Sequence, residues 1–208
     1  MSIEQGTETW KAARLGRATA SRISDVIAKA KSGGYRATRN AYKAELVFER
    51  WYGRPFEHFQ SAAMKRGTEL EPQAKLAYAC LHDIELTRAG FIEHPTIPMS
   101  GATSDYLVGK DGLVEFKCPL PHTHLETLLT ETVPTEYIVQ CQYQMACDPT
   151  RKWCDYTSFC PEAPVRGQLF TKRIERDNEL IGRLEAEVVQ FLREVETDMA
   201  VLKRKGLL

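Results

Sequence analysis

No apolar run in this chain approaches the roughly 20 residues needed to cross a bilayer, and no C-x-x-C pair occurs among its cysteines, Cys80, Cys118, Cys141, Cys147, Cys154 and Cys160. The first absence argues against membrane insertion. The second argues against a zinc ribbon and an iron–sulfur clasp. In a reducing compartment the cysteines read as core thiols, and the spacing of Cys147, Cys154 and Cys160 leaves a metal site as the lesser alternative. Internal repeats and low-complexity tracts are missing. The opening stretch MSIEQGTETWKAARLG has no basic segment followed by an apolar one, so secretion is unsupported and the cytoplasm is the expected location. Net charge is missing as well, because 28 Lys and Arg balance 28 Asp and Glu.

What is present suits a globular chain. With 208 residues, 43% of them hydrophobic and 27% charged, the sequence is long enough for one sizeable core and short for two, so a single domain over 1–208 is expected. Its neutrality hides an asymmetry. Between Lys11 and Lys43 nine Lys or Arg stand against one acid, Asp25. A phosphate-rich partner would require such an excess, because each neutralised phosphate releases counterions; a solvated basic face would show it equally.

Periodicity predicts short helices over 5–15 and in SRISDVIAKA, then a loop, KSGGYRATR, marked by paired glycines. TRNAYKAELVFERWYG reads as a helix capped by Thr38 and stopped by Gly53, with Tyr42, Leu46 and Trp51 facing inward. Leu70, Ala74, Ala77, Tyr78 and Leu81 suggest another, with Pro72 placing Glu71 at its start or at a kink. Strands are expected over 84–93, about 102–108 and 113–118, the last two joined by a KDG turn. TEYIVQCQYQMAC follows as a helix, then strands in KWCDYTSFC and QLFTKRI. From Asp177, a candidate N-cap, Leu180, Leu184, Val188, Val195, Met199 and Leu202 recur as one long amphipathic helix. Helices flanking a mixed central sheet give an α/β or α+β architecture.

The chemistry concentrates in SDYLVGKDGLVEFKCP. Side chains alternate along a strand, so Glu115 and Lys117 share one face while Val114 and Phe116 pack on the other. With Asp105 before them, they supply two carboxylates for a divalent cation and an ammonium to steady an attacking water or a phosphoryl transition state. This is the D-x(n)-E-x-K core of restriction-endonuclease-like nucleases. Alone, an E-x-K on a half-exposed strand is more often a surface ion pair worth at most about 1 kcal/mol. Glu71, in RGTELEPQAK, on or beside a helix, could complete a three-carboxylate, metal-binding cluster or be one more exposed glutamate. Gln140 and Gln142 sit among apolar residues on a helix, where an amide is costly unless hydrogen-bonded, which favours a role near water or phosphate.

Taken in order, ARLGRATAS, RGTELEP, TSDYLVGKDGLVEFKCP and EYIVQCQYQM resemble the phage lambda exonuclease family of viral recombination nucleases, from about Trp10 to Met145 and plausibly beyond. The resemblance implies a magnesium-dependent alkaline exonuclease that digests one strand of duplex DNA processively from the 5′ end, releasing mononucleotides and leaving a 3′ overhang. It implies a ring-shaped homotrimer threaded by DNA ends, a single-strand annealing protein as recombination partner, and a phage or prophage gene expressed in a bacterial cytoplasm. Asp105, Glu115 and the Phe116 carbonyl would ligate the metal, two Mg²⁺ ions for which Mn²⁺ can substitute, with Glu71 supporting the second ion or its waters. Lys117, helped by Gln140, would orient the nucleophilic water. Arg14 and Ser21, with Thr103 beside them, match a 5′-phosphate pocket; Met64 matches a strand-separating wedge, although methionine is also core filler; Lys31 matches a group reaching toward the minor groove, and Gln142 is assigned to DNA. The family's usual proline before the aspartate is Ser104 here. His122 and His124 are expected in a loop, exposed or facing DNA, since imidazole is not needed at a magnesium site. The alternatives are a nicking or structure-specific endonuclease of the same fold and a non-catalytic DNA-end-binding scaffold.

Overall fold

The structure, a computed structural model, describes residues 5–31, 33–56 and 61–208. Its helices are α1 (Glu8–Arg14), α2 (Ile23–Ile27), α3 (Ala37–Tyr52), α4 (Ala62–His82), α5 (Pro121–Thr130), α6 (Thr135–Cys147) and α7 (Asn178–Arg204). Its strands are β1 (Ala18–Thr19), β2 (Leu86–Arg88), β3 (Phe91–Glu93), β4 (Ser100–Thr103), β5 (Tyr106–Val108), β6 (Gly112–Lys117), β7 (Trp153–Phe159) and β8 (Leu169–Glu175). They form a five-stranded sheet, β2-β5-β6-β7-β8, and a three-stranded one, β1-β4-β3. In the larger sheet β6 and β7 run parallel and the other pairs antiparallel. The α/β class is as expected, with two mixed sheets in place of one.

The second sheet arises from a bend. Arg88 pairs with Tyr106 in the larger sheet, and Phe91 pairs with Thr103 in the smaller one. That register is continuous, so the strands expected over 84–93 and about 102–108 prove to be two arms of one long antiparallel hairpin. The arms cross from sheet to sheet where Ala89 and Gly90 lie opposite Asp105 and Ser104. Asp105 therefore sits on the bend, out of the regular ladder.

Alternation also decides what β6 touches. Val114 and Phe116 join Tyr106, Val108 and Phe159 in a core with Ala74 and Tyr78 of α4. On the other face Leu113 joins the larger core built by α2, α3, α6 and α7. The long helix α7 begins where Asp177 indicates, its carboxylate accepting from the amides of Glu179 and Leu180.

Several local expectations are corrected. α3 starts at Ala37 after Arg36, so Thr38 lies inside it; Gly53 ends it as foreseen, in the left-handed conformation at φ 70°. Trp51 is exposed, its indole donating to the Leu207 carbonyl at 2.8 Å. Leu81 is exposed too, leaving Ala74 and Tyr78 as the buried face of α4. α4 is one 21-residue helix running through Pro72 and capped by Ser61, so Glu71 stands mid-helix. Packing of Ala74 and Tyr78 against the sheet outweighs the local cost of the proline. The segment of His122 and His124 is helix α5, with Pro121 in its first turn.

Candidate active site

A cleft of about 670 Å³ opens where the two sheets meet, lined by Asp105, Glu115, Phe116, Lys117 and Gln140 together with Arg14, Ser21, Met64, Glu71 and Thr103. At its floor Asp105 Oδ2 accepts from the Phe116 amide at 2.7 Å, which ties the hairpin bend to β6. Glu115, buried, accepts from three donors. Lys117 Nζ and Gln140 Nε2 each reach Oε1 at 2.6 Å, and Gln144 Nε2 reaches Oε2 at 2.6 Å. Both glutamines come from α6, one turn apart, so the helix presents a pair of amides to one carboxylate.

Burial and the charge of Glu115 raise the Asp105 pKa well above the usual carboxylate value, against the opposing pull of Lys117 and the Phe116 amide. Burial opposes the charge on Lys117, but Glu115 and Asp105 outweigh it and hold its pKa above the ordinary value. A divalent cation beside the two acids would relieve their mutual repulsion, and an all-oxygen donor set suits magnesium or manganese. The residues present therefore fit such an ion. The expected three-carboxylate cluster is not assembled. Among the described residues no three His, Cys, Asp or Glu side chains gather into a metal-binding group. The reason is topological: α4 packs on the Phe116 face of β6, whereas Glu115 turns to the α6 face. Glu71 lines the same cleft with Arg88 at 3.6 Å.

The basic stretch is mostly neutralised in three dimensions. Lys11 pairs with Glu8, Arg17 with Glu93, Arg22 with Asp25 and Glu45, Lys29 with Glu187, Arg39 with Glu194 and Lys43 with Asp198. The cations of this stretch without an ion pair among the described residues are Arg14, Lys31 and Arg36, and of these Arg14 lines the cleft. Burial lowers its pKa, and its guanidinium lies 4.2 Å over the Trp10 ring. The Trp10 indole in turn donates to Thr103 Oγ1 at 2.9 Å. Ser21 completes this corner, 3.5 Å from Thr19 Oγ1. A half-buried, unpaired guanidinium beside two hydroxyls is a place for an anion.

Other candidates divide. Met64 is 54% exposed at the cleft, so it is not core filler. Lys31 is exposed on the loop between Lys29 and Tyr35 and does not line the cleft. Gln142 faces away: 2% exposed, it donates to the Glu175 carbonyl at 2.7 Å and accepts from the Asp177 amide at 2.9 Å, which leaves it no part in contacting DNA. His124 is buried, with Nε2 donating to the Gly167 carbonyl at 2.7 Å and Nδ1 2.8 Å from Ser158 Oγ, so it holds α5 to β7 and is not a DNA-facing group. Three residues of the site were not anticipated. Gln144 is legible in hindsight from its spacing of four from Gln140; Trp10 from its place one turn before Arg14. Tyr137, whose ring lies 4.9 Å from the Lys117 ammonium, had no distinguishing signal.

Fold and cleft together define a class, the lambda-exonuclease-like nucleases. Within it the particular family follows from comparison: the YqaJ-like viral recombinase domain matches residues 9–152, and the chain belongs to that family. An alkaline exonuclease from Laribacter hongkongensis, LHK-Exo, is 48% identical over 96% of this chain and 98% of its own, with a TM-score of 0.89. Its complex with dAMP superposes equally well, at a TM-score of 0.89. A phage-related exonuclease from Haemophilus somnus 129PT, 16% identical over 89% of this chain and 96% of its own, shares the fold at a TM-score of 0.73. No curated protein sequence matches the chain.

Proposed function

We propose that this protein is a magnesium-dependent exonuclease that degrades one strand of duplex DNA from a 5′-phosphorylated end, one nucleotide per cut. The observation that carries the reading is a single cleft holding both an Asp105–Glu115–Lys117 set and the unpaired Arg14. Magnesium, when bound, supplies charge neutralisation at the scissile phosphate and acidifies the attacking water. Asp105 and Glu115 would hold it, with the Phe116 carbonyl, and Glu71 would support the waters around it. Lys117, kept protonated by its two acids, orients the water and offsets charge as the phosphoryl oxygens become more negative. Gln140 fixes Glu115, on which Lys117 rests.

Attack of water on phosphorus breaks the bond to the 3′ oxygen of the terminal nucleotide. The fragment leaves as a 5′-mononucleotide, and the shortened strand carries a new 5′-phosphate. Arg14, Ser21 and Thr103 receive that phosphate, so each product end is the next substrate end. That LHK-Exo forms a complex with dAMP, a mononucleotide, supports this reading of the product. Met64 is proposed as the wedge at the fork and Lys31 as a duplex contact. The proposed working unit is a homotrimer that hands its 3′ overhang to an annealing protein, as the resemblance to the lambda exonuclease family implies.

Incubating a linear 5′-phosphorylated duplex with Mg²⁺ tests this. Mononucleotides and long 3′ tails are expected. Nicking of closed circles would indicate an endonuclease, and retention of ends without cleavage a binding scaffold; either would contradict the proposal.

A further inference from the structure

Gln144 does something that Gln140 does not. A glutamine amide has two N–H donors. Gln140 directs its amide to Glu115 Oε1. Gln144 gives one hydrogen to Glu115 Oε2 at 2.6 Å and the other to the Thr103 carbonyl at 3.1 Å. These acceptors stand on different sheets: Glu115 on β6, Thr103 at the end of β4. Between them the hairpin bends, and the ladder there is thin, with the Ala89 amide reaching the Asp105 carbonyl at 3.4 Å. The amide of Gln144, 2% exposed, thus clasps the two sheets where strand pairing gives little. Lys117 and Gln140 both serve Oε1 of Glu115; Gln144 adds the bond to Oε2 and, unlike Gln140, the hold on Thr103.

The two acceptors of this amide belong to places with different tasks. Asp105 and Glu115 mark where the chain is cut, and Thr103, with Arg14 and Ser21, marks where the terminal phosphate rests. We propose that Gln144 is a positioning residue that fixes the spacing between these two places and so sets the length of the fragment removed per cut. The proposal rests on the function proposed above. A buried donor aimed at a fixed acceptor pair holds separation to hydrogen-bond tolerance, whereas a loosened joint lets the strand end lie in more than one register.

The test compares Gln144→Met with Gln140→Met. Both remove a donor to Glu115, but only the first frees Thr103, and methionine keeps the volume. Labelled 5′-phosphate duplex is digested and the labelled products are sized. For Gln144→Met the dinucleotide share is expected to rise about fivefold over wild type; Gln140→Met should cut slowly with the wild-type product pattern. Two readouts need no turnover. Calorimetric Mn²⁺ affinity should fall about tenfold in both variants. Without metal, the preference for binding 5′-phosphoryl over 5′-hydroxyl duplex should drop about threefold in Gln144→Met and hold in Gln140→Met. Wild-type product sizes and end preference in folded Gln144→Met would overturn the proposal, as would equal shifts in both variants. If Gln144→Met does not melt cooperatively, Gln144→Leu, which is also apolar and donor-free, replaces it under the same criteria. Absence of labelled mononucleotide from the wild type would refute the function instead, and the metal-free end preference would still judge the clasp.

Discussion

Glu115 accepts three hydrogen bonds inside the protein and Lys117 leans on one of its oxygens. Removing the lysine leaves both glutamine donors in place, so Lys117→Ala should keep its fold and bind DNA ends within about threefold while turnover falls by about 10²–10³. Undiminished digestion by that variant would remove Lys117 from the chemistry. A second side chain makes a prediction about pH. His94 Nδ1 accepts from the amides of Thr96 and Ile97 at 3.3 and 3.1 Å, and Nε2 faces Glu185 at 3.2 Å. Burial lowers its pKa, with Glu185 acting in the opposite sense. In the unfolded chain a histidine titrates near about 6.5, so below that pH the unfolded state binds more protons than the folded one. Stability from this group is therefore present above about pH 6.5 and is lost as pH falls through the folded pKa. Melting curves between about pH 5 and 7 should show a shallower slope in His94→Asn, which keeps an acceptor without the titration; an unchanged slope would count against it.

Helix α6 shows why some of the site was legible and some was not. Its sequence announces buried amides, and helical geometry sends Gln140 and Gln144 to Glu115 while Gln142 points to the start of α7. A side chain two residues along is on another face, so the expected role of Gln142 fails by rotation alone. Its replacement by alanine should cost about 1–2 kcal/mol, lowering Tm by roughly 2–8 °C, with the cleavage site intact. Loss of end preference in that variant without loss of stability would restore it to the DNA surface. The strand alternation around Glu115 and the cap at Asp177 were readable because each depends on neighbours in sequence. The bend at Asp105, the continuity of α4 through Pro72 and the ion pairs of α3 with α7 were not, because each depends on partners far along the chain.

At the scale of the whole molecule, the excess of positive charge between Lys11 and Lys43 turns out to be mostly glue. Its ion pairs join α3, and Lys29 just after α2, to the distant helix α7 and leave Arg14 as the cation of that stretch lining the cleft. No described helix is long and apolar enough to cross a membrane. Sedimentation tests the proposed homotrimer directly: a mass of three chains is expected at working concentration, and a single-chain mass under conditions of full activity would contradict it. The central claim is that one cleft both grips a 5′-phosphate and cuts beside it. The rate of Mg²⁺-dependent mononucleotide release from 5′-phosphoryl and 5′-hydroxyl duplexes measures this most directly. The account predicts a ratio of about 10 or more for the wild type, falling to about 1 in Arg14→Ala; equal rates on the two ends by the unmodified protein would contradict it.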